Sequence, residues 1–220
     1  MDYKLNFNAV WRNFDQLLGG LALSLGLAFV AILLGIIIGL FTAFALISTR
    51  RILRLPARLY VTVIRNTPIL VLVLFTYFAL PQLGVRMGKI ESFVFTLALY
   101  SGAYLAEVFR AGLQAVPAGL REAGLAIGLT ELQIRASIIT PLMLRNALPS
   151  LSSTMISLFK DTSLAAAIAI PELTFEARKI NVETFRVIET WIVASGLYVT
   201  TCALLAAVMR KIERNLSVPR

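Results

Sequence analysis

The sequence predicts an all-α membrane protein with five transmembrane helices, and three observations carry that prediction. The residues are 58% hydrophobic with a mean hydropathy of +0.81, far above the balance of a soluble domain. Three stretches, Asp15 to Arg50, Arg65 to Arg86 and Glu189 to Arg210, are free of charge over about 20 residues or more, enough to cross a bilayer as helix. The excess basic charge also falls on one side. With the Arg50–Arg58 loop placed in the cytoplasm, that side holds thirteen basic and four acidic residues, and the charges elsewhere cancel, so it carries the whole net +9. This is the positive-inside pattern; it sets the amino terminus outside and the carboxyl terminus in the cytoplasm, and it makes a nucleic-acid partner unnecessary.

Residues 1–16 read as an external amino-terminal segment, with a short interfacial helix that sets Trp11 and Phe14 at headgroup level. A secretory signal is not expected: the first apolar run is too long and lacks a basic leader and a small-residue cleavage site. Span one covers about Leu21–Ile47. Its Gly35 and Gly39, four apart, allow close approach of another helix, and packing inside the bundle is the expected use. Arg50, Arg51, Arg54 and Arg58 form the first basic loop. Span two opens with Arg65-Asn66-Thr67-Pro68, where Pro68 frees a carbonyl one turn earlier for Asn66 or Thr67 to satisfy.

Span three runs from about Ser92 to Val108. Tyr100, Ser101, Tyr104 and Glu107 are expected to share one polar face, used for packing near the membrane exit. A long cytoplasmic segment, about 113–143, follows. Pro117 and Gly119 break the helix, Leu120–Ile127 begins another, Gly128 suits a left-handed cap, and Thr130 caps a helix from Glu131. Two short helices about a glycine turn make a compact knob. Pro141 and Pro149 mark the entry to span four.

Span four, about Asn146–Pro171, holds Lys160-Asp161-Thr162-Ser163. An ionisable residue at membrane depth costs about 2.5 kcal/mol or more, so it faces a cavity or a partner. A structural ion pair and a polar substrate site both fit. An outer loop of mixed charge follows Pro171, and span five ends at the inside anchor Arg210-Lys211 with Arg214.

With one cysteine and no histidine, no disulfide within the chain and no common thiolate or imidazole metal site is expected; Cys202 reads as a packing residue. A phosphate-cradling G-x-x-x-x-G-K-[ST] loop is also missing, because Gly88-Lys89 is followed by Ile90 and Leu83 stands where the first glycine belongs. No cofactor is expected in this chain.

Several motifs then converge. Glu122-Ala123-Gly124, then Gly128, Ile138 and Thr140-Pro141, resembles the cytoplasmic signature of permease subunits of bacterial ATP-binding cassette (ABC) importers. Gly124 and Thr140 depart from the Glu-Ala-Ala and Leu-Pro of that pattern. Arg65-Asn66-Thr67-Pro68, Tyr104 to Gly112, Lys160 to Leu164 and Pro171 to Thr174 are similar to the polar amino acid branch, and the likeness covers about Leu17 to Arg210.

The resemblance implies a type I ABC importer permease fold over residues 17–212, a cytoplasmic tail at 213–220 and a bacterial inner-membrane location. It implies a pathway shared with a second permease subunit, either a copy or a relative. It further implies an extracytoplasmic amino-acid-binding protein outside and a cytoplasmic ATP-binding cassette dimer that binds ATP and magnesium. Gly119, Glu122, Ala123, Gly124, Gly128 and Leu129 would couple to that ATPase. Arg65, Asn66, Thr67, Thr154, Ser157, Lys160, Asp161, Thr162 and Ser163 would line the path, with a neutral or acidic amino acid suited to the lone Asp161. The competing readings are an ion-gradient-driven secondary transporter, against which the lack of an internal repeat speaks, and a non-transporting scaffold subunit. An intramembrane enzyme lacks a base.

Overall fold

The computed structural model describes residues 3–216 and is helical throughout its regular structure. In chain order the helices are α1 (Asn8–Arg12), α2 (Phe14–Leu46), α3 (Arg51–Arg65), α4 (Ile69–Leu74), α5 (Lys89–Gln114), α6 (Gly119–Ala126), α7 (Glu131–Ile134), α8 (Thr140–Asp161), α9 (Leu173–Thr184) and α10 (Val187–Leu216). Among the described residues, α2, α5 and α10 are each long and apolar enough to cross a membrane, and counting each of two bent helix pairs as one span gives five.

The bundle is built around α5. Of its apolar stretch 61% is buried, against 28% for α2 and 11% for α10, so α5 is the enclosed span and the other two present their surface outward. Lipid tails are as apolar as leucine, so close packing rather than water exclusion holds such helices together, and small residues allow it. Gly35 of α2 lies against Ser101 and Gly102 of α5, and Gly39 against Leu105 and Ala106. The rising order of both sets makes the two helices parallel. A Cβ at Gly112 would come within 2.6 Å of the Met143 carbonyl of α8, so glycine is required at that crossing as well. The expected intrabundle role of Gly35 and Gly39 is what the fold displays.

Four expectations change. Arg51, Arg54 and Arg58 stand on a helix, α3, rather than in a loop, and α3 is bent by 103° from the segment Ile69–Leu83. An Arg stripe beside an apolar face reads as helix, whereas charge density alone suggested a loop. Ser101 turns away from the Tyr100–Tyr104 face, its hydroxyl 3.2 Å from the Ala31 carbonyl of α2. One residue's rotation of about 100° accounts for it. Span four does not run on to Pro171 as regular helix: α8 runs through Pro149 to Asp161, a tighter 3-10 turn covers Thr162–Ile168, and Ala169 takes a left-handed conformation at φ 55°. The outer loop is mostly helix, α9.

Glu172 sets the start of α9. Its carboxylate accepts the backbone N–H of Phe175 at 2.8 Å and of Thr174 at 3.0 Å. It also accepts the Tyr198 hydroxyl of α10 at 3.0 Å and the Ser24 hydroxyl of α2 at 3.3 Å, so one buried acid joins three helices. At the amino terminus, α1 brings Trp11 to within 5.3 Å of the Phe14 ring, the aromatic pair expected at the interface. The chain before it is tied down where Glu189 accepts the Tyr3 hydroxyl and the Asn6 N–H.

Candidate functional site

The break between α3 and α4 lies beside the middle of the bundle. Pro68 stops the helix, and the exposed carbonyls are met as expected: Asn66 donates its side-chain N–H to the Thr62 carbonyl at 2.7 Å, and the Thr67 hydroxyl donates to Val63 at 2.8 Å. Asn66 and Thr67 therefore hold the end of the helix in shape. Arg65, the last residue of α3, extends its guanidinium over the Tyr104 ring of α5, 5.2 Å from the centroid. Such a cation–π contact is worth about 0.5–2 kcal/mol, more as water is excluded. The Tyr100 hydroxyl donates to that of Tyr104 at 3.1 Å, with the rings 4.6 Å apart. Tyr104 thus lies under a cation, while Tyr100 packs against it and against the core. Tyr60 fixes α3 on α5 by donating to the Leu99 carbonyl at 2.5 Å.

A second set of polar residues comes from α8, which packs against α5. Asn146, Ser150, Thr154, Ser157 and Asp161 recur at steps of three and four, so they form one polar stripe along the helix. Asn146, Ser150 and Ser157 are exposed, and Thr154 and Asp161 are half-buried. The Thr154 hydroxyl donates to Ser150 at 2.7 Å, which leaves its lone pairs free to accept. The stripe ends at Asp161, the last residue of α8.

The remaining candidates separate. Lys160 points into the open, Ser163 is half-buried, and Thr162 is buried with its hydroxyl donating to Phe159 at 2.7 Å, so Thr162 closes the end of α8. Among the described residues no ion pair joins Lys160 to Asp161. Asn146 and Ser150 were missed; their spacing from Thr154 and Asp161 was the available signal.

The knob has the expected form. α6 ends in a capping motif in which Gly128 is left-handed at φ 84°, with Leu129 N–H donating to Gly124 and Gly128 N–H to Leu125, both at 3.0 Å. Thr130 then caps α7 reciprocally with Gln133. Arg121 pairs with Glu131 across the turn. Gly124 faces inward, where a Cβ would meet Ile134 at 2.8 Å, so the departure from alanine follows the local packing. Gly119, Glu122 and Ala123 face out. Ile127 is 76% exposed and Leu132 77%, so the knob presents apolar as well as charged side chains on its surface. Sequence reasoning had not picked out these two.

The model of the family described as binding-protein-dependent transport system inner membrane component matches residues 31–218. The glutamine transport system permease protein GlnP of Escherichia coli K12 is 34% identical over 98% of this chain and 99% of that protein. The L-cystine transport system permease protein TcyB of Bacillus subtilis 168 is 37% identical over 90% and 85%. The crystal structure of an amino acid ABC transporter with histidines superposes with a TM-score of 0.88 at 31% identity, covering 97% of this chain and all of that one. An inward-facing MetNI methionine ABC transporter shares the fold, with a TM-score of 0.81 at 21% identity. The chain belongs to the binding-protein-dependent transport system inner membrane component family.

Proposed function

We propose that this amino acid ABC permease subunit forms one wall of an inner-membrane pathway that a separate ATPase opens and closes. Two observations support the reading, and we take them together as a polar seam: exposed Arg65 lies over Tyr104 of α5, and α8, packed on the same α5, carries the polar stripe that ends at Asp161. A single chain leaves that seam uncovered. A second permease subunit, a copy or a relative, completes it.

The zwitterionic backbone of an amino acid matches the two charges. Arg65 receives the carboxylate and Asp161 the ammonium, and Thr154 and Ser157 add neutral hydrogen bonds. With Asp161 committed to the ammonium, the acid one turn from Tyr104 on α5, Glu107, is already paired with Arg110. A neutral or acidic amino acid is therefore the cargo class this reading assigns; the relatives' own names span glutamine, L-cystine and arginine systems, so the assignment rests on the charges of this chain.

The knob of residues 118–130 docks in a groove of the cytoplasmic ATP-binding cassette dimer, with Glu122 as its charged contact. ATP and magnesium bound there draw the knobs together. The movement passes through α8, which α7 joins by a continuous helical path, and turns the seam outward. An extracytoplasmic amino-acid-binding protein then delivers the cargo. In this reading the amino terminus is outside and the carboxyl terminus cytoplasmic, an orientation supported by the one-sided placement of Arg and Lys.

Reconstitution tests this. The purified complex in proteoliposomes is expected to take up a neutral or acidic amino acid only with ATP on the knob side and binding protein on the other. Uptake by this chain alone under an ion gradient would overturn the reading, and transport confined to arginine and lysine would overturn the cargo class.

A further inference from the structure

The cytoplasmic end of α2 carries a feature that amino acid passage does not use. Between it, the start of α3 and the knob lies a cavity of about 750 Å³ with two kinds of wall. One wall is apolar, made by Phe41, Phe44 and Ile139; the other carries Arg50, Arg121, Arg135 and Glu131. Arg121 is matched by Glu131, and among the described residues no ion pair involves Arg50 or Arg135, so two positive charges stand uncompensated.

The apolar wall does not stop at the cavity. Val30, Leu34, Ile37 and Phe41 recur at steps of four, three and four and are 46%, 43%, 55% and 73% exposed, and Phe44 continues their line into the cavity. This stripe runs roughly 16 Å along α2, away from the arginines and into the membrane. A small free anion uses only the basic wall. A ligand with a negative head and a long apolar tail uses both, and the cavity lies where α2 leaves the hydrocarbon on the arginine-rich side.

We propose that this cavity holds the phosphate headgroup of an anionic phospholipid, with Arg50 and Arg135 on the phosphate and an acyl chain along Phe41, Ile37, Leu34 and Val30. Basic pockets between spanning helices at the cytoplasmic interface take anionic headgroups by charge complementarity. Arg135 belongs to the helical turn that joins α7 to α8, and Arg50 immediately precedes α3. A lipid bound to both ties the knob's support to the α2–α3 corner. The inference rests on the orientation proposed above only for the choice of leaflet.

The test uses the whole purified complex in nanodiscs of phosphatidylethanolamine with a minor share of phosphatidylglycerol, and native mass spectrometry counts the phosphatidylglycerol retained. Both leaflets have the same composition, so an inverted orientation would not change the result. Arg50→Gln and Arg135→Gln are each expected to weaken retention about fivefold, while Arg86→Gln on the opposite side changes nothing. Equal retention by the Arg50→Gln, Arg135→Gln double variant would overturn the proposal. So would displacement of the lipid by millimolar inorganic phosphate, which would mean a soluble-anion site. Disulfide formation under copper-phenanthroline oxidation between Phe41→Cys, in a Cys202→Ser background, and a single cysteine introduced on the second permease subunit would show the stripe covered by protein and would likewise overturn it.

Discussion

Gly35 of α2 and Ser101 of α5 are so close that a Cβ on Gly35 would overlap the Ser101 hydroxyl, which itself bonds back to α2 at the Ala31 carbonyl. α2 and α5 are thereby held in register by an absence on one side and a hydroxyl on the other.

From this contact, Gly35→Ala is expected to destabilise by about 1–3 kcal/mol through overpacking. Ser101→Gly added to it restores part of that loss, because the obstructing atoms leave. Thermal unfolding of the single and double variants in detergent measures the coupling. Simple additivity of the two changes would show that Ser101 is not what Gly35 avoids.

Charge reversal at Glu122 is expected to weaken ATPase association by about 2 kcal/mol, roughly thirtyfold, with membrane insertion intact. Co-purification and ATP-driven uptake report it. Full uptake by Glu122→Lys would count heavily against the docking role.

Asp161→Asn keeps the shape of the side chain and removes its charge. Because Asp161 is only half-buried, a loss of about 1–2 kcal/mol is expected, read as a rise in the substrate concentration for half-maximal uptake. ATPase association stays unchanged. Arg65→Lys keeps the charge but loses the planar stack on Tyr104, so a smaller effect is expected. If neither variant alters uptake, the seam is not the path.

Glu172→Ala leaves the Phe175 and Thr174 N–H groups without their cap, at a cost of about 1–2 kcal/mol in stability. A lower unfolding temperature with the ATPase still bound is the expected result. An unchanged temperature would mean that water replaces the carboxylate.

The amino-terminal tether is sensitive to alkali. The hydrogen bond from Tyr3 to the Glu189 carboxylate, followed by partial desolvation, raises the phenol above its ordinary range. The stabilisation is therefore fully present below the ordinary phenol pKa and is lost as pH rises through the raised one. Difference absorbance between wild type and Tyr3→Phe should show a late-titrating phenol; titration at the ordinary value would dismiss the tether.

How much of this was legible beforehand differs by feature. The knob was, down to the left-handed Gly128 and the Thr130 cap, because capping depends on residues within a few positions of one another. The break at Pro68 and its repair by Asn66 and Thr67 are equally local. The apolar runs pointed to the membrane and to the three long spanning helices, since these depend on composition along the chain; the two bent pairs that bring the count to five did not follow from it.

What only the tertiary structure decided is which faces meet. Periodicity puts Tyr100, Tyr104 and Ser101 on neighbouring sides of α5, but the direction of Ser101 depends on where α2 lies, and the direction of Arg65 on how sharply α3 turns. The seam pairs α3 with α5 and α8, elements separated by dozens of residues, and no local preference encodes their angle. Helix identity follows from near neighbours along the chain; the site follows from packing between distant helices, and that exists only once they are folded together.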